Sequence, residues 1–107
     1  MVLVVLLFPS LALGGEAKLE DLVITNGLHY KKFTNVPFTG KVTGKFQGSF
    51  KNGKKDGPWV RYYKNGQLSF KGTYKEGKRD GPWVSHNKDG TVNPKFTGTY
   101  KDSKKVK

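Results

Sequence analysis

At 107 residues the chain is at most one small domain, and with apolar residues at only 35% it lacks the material for a deep two-layer core. Its formal charge of +12 is uneven, with +2 on residues 1–47 and +10 on residues 48–107. With no cysteine, a disulfide framework, a thiolate zinc site, a cysteine nucleophile and a lipidated cysteine are all excluded. So basic a second half favours anionic partners: membrane surfaces, polyanionic glycans, nucleic acid or an acidic protein. The alternative is protective, because lysines on the exposed face of a sheet also block edge-to-edge aggregation.

In chain order, residues 1–15 (MVLVVLLFPSLALGG) are apolar up to an abrupt polar switch at Glu16. Val2 to Phe8 fits the apolar stretch of a signal peptide, Pro9 breaks it, and Ala12 and Gly14 supply the small residues of a cleavage site. About 13 apolar residues span roughly 20 Å as a helix, short of the ~30 Å hydrocarbon core. The alternative to a cleaved signal is a buried N-terminal strand. Residues 16–37 follow as an N-terminal capping hairpin and linker. Within them Asn26-Gly27 sits between two strand-like runs, the strongest short-range hairpin signal, because a type I′ turn needs positive φ at both central residues.

From Phe38 to Phe50, apolar residues and glycines occupy one parity and polar residues the other. Period two over this length predicts a sheet with one apolar and one wet face, in a long strand bent at Gly40 or Gly44. Beyond it the sequence repeats itself. Residues 48–68 laid over 72–92 match at 11 of 21 positions, a shift of 24 residues. Fixed-period self-similarity marks a repeat architecture, in which no unit buries its apolar face alone. The units fall at about 38–47 (short), 48–71, 72–97 and 98–107 (partial). Strands are expected over 58–63, 67–75, 82–87 and 91–101. Pro94 cannot donate to a ladder, so a bulge or an edge is expected there.

Three constellations invite a functional reading. Aromatic-x-Gly-x-aromatic recurs as Phe46-x-Gly48-x-Phe50, Phe70-x-Gly72-x-Tyr74 and Phe96-x-Gly98-x-Tyr100. A glycine between two rings leaves a bare backbone patch on which a ring from the next strand can lie. This is first a packing device. The functional alternative is an aromatic platform, for which Trp59, Trp83, Tyr62, Phe70, Tyr74, Phe96 and Tyr100 are the candidates.

The second is Asp56-Gly57-Pro58-Trp59 with its copy Asp80-Gly81-Pro82-Trp83. Here Asp and Gly form a turn, with the Asp side chain bonding to backbone, Pro opens a strand and Trp docks across it. The third is the basic set Lys54, Lys55, Lys78 and Arg79 at equivalent turns, a candidate anion-attracting rim.

His29 and His86 are single and unmatched, and no serine stands in a patterned relation to either. No phosphate loop, dinucleotide fingerprint or metal-ligand spacing is present, so neither a catalytic residue, a cofactor nor a metal is expected. Lysines interleaved with rings could suit single-stranded nucleic acid. However, the two sets fall mostly on opposite parities, as in Phe70/Lys71, which argues against that partner.

The pattern F/Y-K-x-G-K-K/R-D-G-P-W-x(5)-N/D-G resembles the MORN repeat in its bacterial variant, and the resemblance covers Gly48 to Tyr100. It implies successive β-hairpins stacked into an elongated, curved antiparallel sheet. Several bacterial members of that family are labelled as antitoxins of toxin–antitoxin systems, others are exported or envelope-associated, and eukaryotic members act as scaffolds that sometimes bind anionic lipid. An apparent signal peptide sits poorly with an intracellular antitoxin.

The expectation is therefore an all-β protein, an elongated single-layer antiparallel sheet of stacked hairpins, periplasmic or secreted. It binds a protein or envelope component without catalysis. The alternatives are an antitoxin-like protein that silences a toxin by direct binding, and an electrostatic binder of anionic lipid or glycan. Two and a half units bury little, so self-association through sheet edges is a further expectation.

Overall fold

The computed structural model describes residues 15–107; the expected signal peptide lies outside them but for Gly15. Twelve strands follow in chain order: β1 Glu16–Lys18, β2 Leu22–Thr25, β3 Leu28–Lys31, β4 Gly40–Thr43, β5 Phe46–Lys51 and β6 Lys54–Lys55, then β7 Gly57–Tyr62, β8 Leu68–Lys75, β9 Lys78–Arg79, β10 Gly81–Ser85, β11 Gly98–Lys101 and β12 Lys104–Lys105. Ten of them form one sheet in the order β1-β4-β5-β7-β8-β10-β11-β12, with β6 beside β5 and β9 beside β8, while β2 and β3 pair separately. The fold is all-β, and the sheet does not close into a barrel. Extents of 54 × 30 × 26 Å and a radius of gyration of 16.0 Å describe an elongated body. A compact globule of this length would have a radius near ~13 Å.

The pairing is antiparallel with one exception. β1 runs parallel to β4, pairing Glu16 with Lys41 and Lys18 with Thr43, so the sheet is mixed at its N-terminal edge. No short pattern marks this pair, because a parallel pair needs a long crossover and carries no turn signal of its own. The expected long strand over 38–50 is corrected too. It reverses at Gly44 (φ 100) into the β4–β5 hairpin, with Gly40 opposite Phe50 and Val42 opposite Gly48. Each pair joins residues of one parity, so the predicted apolar face survives the reversal.

The strand expected over 91–101 shortens to β11. Residues 94–96 form a turn around Pro94, and only a single bridge, His86 to Val92, continues the β10 pairing. Pro94 therefore marks a break in the ladder, which is what its missing N–H dictates.

Across the sheet, one ladder on the apolar face reads Val42, Gly48, Trp59, Gly72, Trp83, Gly98. Trp59 is paired with Gly72, and Trp83 with Gly98. Each indole leans back over the preceding glycine: a Cβ built on Gly48 would meet the Trp59 ring at 2.3 Å, and one on Gly72 the Trp83 ring at 2.1 Å. Only glycine admits such an approach, so at Gly48 and Gly72 the aromatic-x-Gly-x-aromatic motif is the packing device expected of it, whereas at Gly98 the space is taken by Lys107 O and the Lys105 side chain. Each indole N–H then donates to the carbonyl after its glycine, Trp59 Nε1 to Ser49 O and Trp83 Nε1 to Thr73 O, both at 3.0 Å.

Buried Phe38, Val42, Phe50 and Trp59 form the core, flanked by Ala17, Leu19 and Leu22 from the N-terminal segment. The β2–β3 hairpin is tied down by His29 N–H donating to Gly53 O at 2.8 Å and by the His29 ring 4.6 Å from that of Phe50. The N-terminal segment thus packs over one end of the sheet.

Candidate functional site

Two kinds of turn lie along opposite edges of the sheet. On one edge stand two-residue turns with positive φ at both positions: Asn26-Gly27 (51, 80), Asn52-Gly53 (51, 84), Glu76-Gly77 (49, 84) and Asp102-Ser103 (51, 67). These are type I′ values, whose twist matches that of the flanking strands. On the other edge, Tyr63–Gln67 and Asn87–Thr91 form longer loops in which only Gly66 and Gly90 are left-handed, closed by Gly66 N–H to Tyr63 O and Gly90 N–H to Asn87 O. Asp89 belongs here as a turn residue: hydrogen bonds from the Thr91 hydroxyl and N–H hold its carboxyl below the usual range.

The type I′ turns are stitched into a continuous row. Gly53 N–H donates to Phe38 O, Gly77 N–H to Lys55 O, and Ser103 N–H to Arg79 O, at 2.8, 2.9 and 3.0 Å. The repeat therefore fixes the spacing of equivalent side chains along this edge. Between turn and strand the DGPW corner forms through backbone. Asp56 N–H donates to Ser49 O and Asp80 N–H to Thr73 O, both at 2.9 Å. The expected bond from each aspartate side chain to backbone is not what fixes the corner: the bond comes from the main chain, with each aspartate standing between two strands rather than in the turn itself.

The aromatic platform is corrected by burial. Trp59, Trp83 and Tyr100 are 1%, 5% and 6% exposed, so no ligand can stack on them. They form an interior column with Phe70 and Tyr74: Trp59 meets Tyr74 at 6.0 Å, Tyr74 meets Trp83 at 5.1 Å, and Trp83 meets Phe70 at 5.3 Å and Tyr100 at 6.3 Å. Tyr62 is half-buried at the other turn edge, in a shallow groove with Lys45, Lys64 and Lys88. Of the seven aromatics only Phe96, 45% exposed, faces water broadly, and its neighbour Lys95 lies over it. The seven do not form one surface.

The basic rim fares differently. Lys54, Lys55, Lys78 and Arg79 line one open groove of about 560 Å³ on the type I′ edge, together with Tyr74, Glu76, His29, Ile24 and Ser103. Lys54 and Lys78 are exposed, whereas Lys55 and Arg79 are half-buried. Lys55 Nζ lies 5.2 Å from the Trp59 ring centre and 4.9 Å from that of Tyr74. Arg79 lies 5.0 Å from Trp83 and 5.3 Å from Tyr100. Each cation thus caps two rings and is held in place while its outer side faces the groove. Lys55 and Arg79 depart from the reading that rings and basic residues mostly face opposite ways: Lys55 is paired with Phe50 and Arg79 with Tyr74, on the apolar face.

His29, Ile24, Glu76 and Ser103 were missed as groove residues. Ser103 was legible in principle, as the third copy of the turn. His29 and Ile24 reach the groove from the N-terminal hairpin, outside the repeat. Burial, opposed by the hydrogen bond to Gly53 O and reinforced by nearby Lys55, holds the His29 imidazole below its ordinary 6.5. His86 is half-buried, and its buried Nδ1 has no partner among the described residues.

No family model matches the chain, and neither do any curated proteins or solved structures.

Proposed function

We propose that this protein is a non-enzymatic binding module that engages an acidic protein or envelope component through its basic turn edge. One observation carries the reading: four cations from two successive repeats gather on a single groove, two of them pinned by rings. Cations concentrated in a concave feature raise the local density of an anionic partner and speed its capture. His29, the groove residue best suited to acid–base chemistry, is engaged with the Gly53 carbonyl and the Phe50 ring. The apolar run of residues 1–15 supports export, and the hairpin grammar supports reading the units as MORN-type repeats.

The test is retention of acidic ligands from an envelope fraction on the immobilised protein lacking residues 1–15. Bound material is expected to elute as salt rises from ~0.1 M to ~1 M, where the screening length shrinks from about 10 Å to about 3 Å. A variant with Lys54, Lys55, Lys78 and Arg79 all changed to Gln should retain none of it. Retention that ignores salt, or equal retention by the variant, would overturn the reading.

A further inference from the structure

Lys55 and Arg79 are equivalent residues in successive hairpins, with the strand that returns to the next turn between them. Strands in a sheet lie about 4.8 Å apart, so the two cations recur with a pitch of about 10 Å. The turn-to-turn bonds Gly77 N–H to Lys55 O and Ser103 N–H to Arg79 O lock that pitch, and the paired rings under each cation keep it from wandering. A fixed pitch between fixed charges is a selectivity device, because a ligand must present anionic groups at the same interval to satisfy both.

We propose that the groove receives a linear acidic glycan bearing one anionic group per disaccharide, laid across the turn row so that successive acids meet Lys55 and Arg79. The proposal rests on the binding reading above and names its ligand class. The length of one disaccharide in an extended β-linked chain matches the pitch. An extended peptide does not match it: residues on one face recur every ~6.8 Å, and the third residue along, near ~10 Å, points the other way. Nucleic-acid phosphates recur every ~3.4 Å along a strand and would crowd the groove with unmatched charge.

Two further features agree. The turn N–H groups of Gly53, Gly77 and Ser103 are already spent on neighbouring carbonyls, so the groove offers no free ladder to a peptide backbone. Glu76 lines the same groove and repels any ligand that carries an acid on every unit, which discriminates against denser polyanions.

The test compares four probes on the protein lacking residues 1–15 at one low salt concentration. They are a hyaluronan octasaccharide (one carboxylate per disaccharide), an oligogalacturonate of equal length (one per sugar), an oligoglutamate with as many carboxylates as the hyaluronan, and phosphatidylglycerol vesicles. The hyaluronan oligomer is expected to bind at least about tenfold tighter than the oligoglutamate and tighter than the oligogalacturonate. Lys55→Met and Arg79→Met, which keep an apolar stem over the rings, should each weaken it by about tenfold, with unchanged tryptophan emission showing that the column is intact. Lys55→Arg should preserve binding.

Equal or tighter binding of either denser polyanion would overturn the glycan proposal and leave the basic-edge reading standing. Binding to vesicles without binding to the free oligosaccharide would overturn it in favour of a membrane surface. Failure of all four probes would remove both readings. The comparison on the unmutated protein decides the matter even where a variant does not fold.

Discussion

The two DGPW corners of the molecule share one geometry in two settings. In both, an indole lies on a glycine, donates to the next carbonyl at 3.0 Å and carries a cation on its outer face. The first corner is embedded: Trp59 meets Phe50 edge-on at 5.4 Å and belongs to the core cluster closed by the N-terminal segment. Among the described residues the second has no such lid. Trp83 rests on half-buried Phe70 and Tyr74 and on Tyr100. The repeat thus specifies the corner while the neighbours set how much it is worth, as expected of a nearly one-dimensional architecture whose stability is a sum of unit and interface terms.

The largest effect should come from removing the indoles. Trp→Ala in a packed interior costs about 3–5 kcal/mol, a large part of the ~5–15 kcal/mol that holds a domain together. Trp59→Ala is expected near the top of that range and Trp83→Ala near the bottom, read as shifts in urea midpoint. Equal losses would mean that the N-terminal lid contributes nothing to the first corner.

Next come the glycines. Gly48→Ala and Gly72→Ala each push a methyl into a ring, at 2.3 and 2.1 Å respectively, and overpacking of this kind costs about 1–3 kcal/mol. The geometric clash is slightly worse at Gly72, but Trp83 has half-exposed neighbours that can yield. Gly48→Ala should therefore destabilise more, because Trp59 is walled in. Thermal unfolding of the two variants decides whether clash distance or neighbour stiffness governs.

Much of this was legible in the sequence because it is local. Turn glycines, the Gly–aromatic alternation and the DGPW corner each encode a backbone requirement within a few residues, and the 24-residue shift then stacks the units. What was illegible depends on neighbours in space. The DGPW motif told that Trp59 and Trp83 dock across the hairpin but not that the next ring covers them, so an expected platform became an interior column. Parity also misled about Lys55 and Arg79, since each follows a two-residue turn that returns it to the apolar face opposite Phe50 and Tyr74. The parallel β1–β4 pair and the arrival of His29 at the groove arise from long-range closure of the N-terminal segment, which no short pattern encodes.

The first corner should also respond to pH where the second does not. His29 stacks on Phe50, which packs on Trp59, and no equivalent histidine stands beside Trp83. Its folded-state pKa lies below 6.5, first because of burial, so the unfolded chain takes up the proton more readily than the folded one. The resulting stability is complete above pH 6.5 and is lost as pH falls through the lower folded value. Denaturant midpoints measured down this window should decline, and His29→Gln should flatten the decline. A decline that survives the substitution would assign the pH dependence elsewhere.

The smallest expected effect lies at the turns that precede the corners. Asn52 and Glu76 occupy the same place with φ near 50°, yet asparagine adopts the left-handed region more readily than glutamate. Glu76→Asn should therefore stabilise the protein by about 1 kcal/mol at most, the low end of what a left-handed non-glycine residue costs. The substitution also removes the one acid lining the groove with Lys55, Lys78 and Arg79. If Glu76 serves discrimination, the gain in stability should come with looser selectivity, and oligogalacturonate should then approach the affinity of the sparser glycan. A variant that is more stable yet equally selective would show that the glutamate has no part in choosing the ligand.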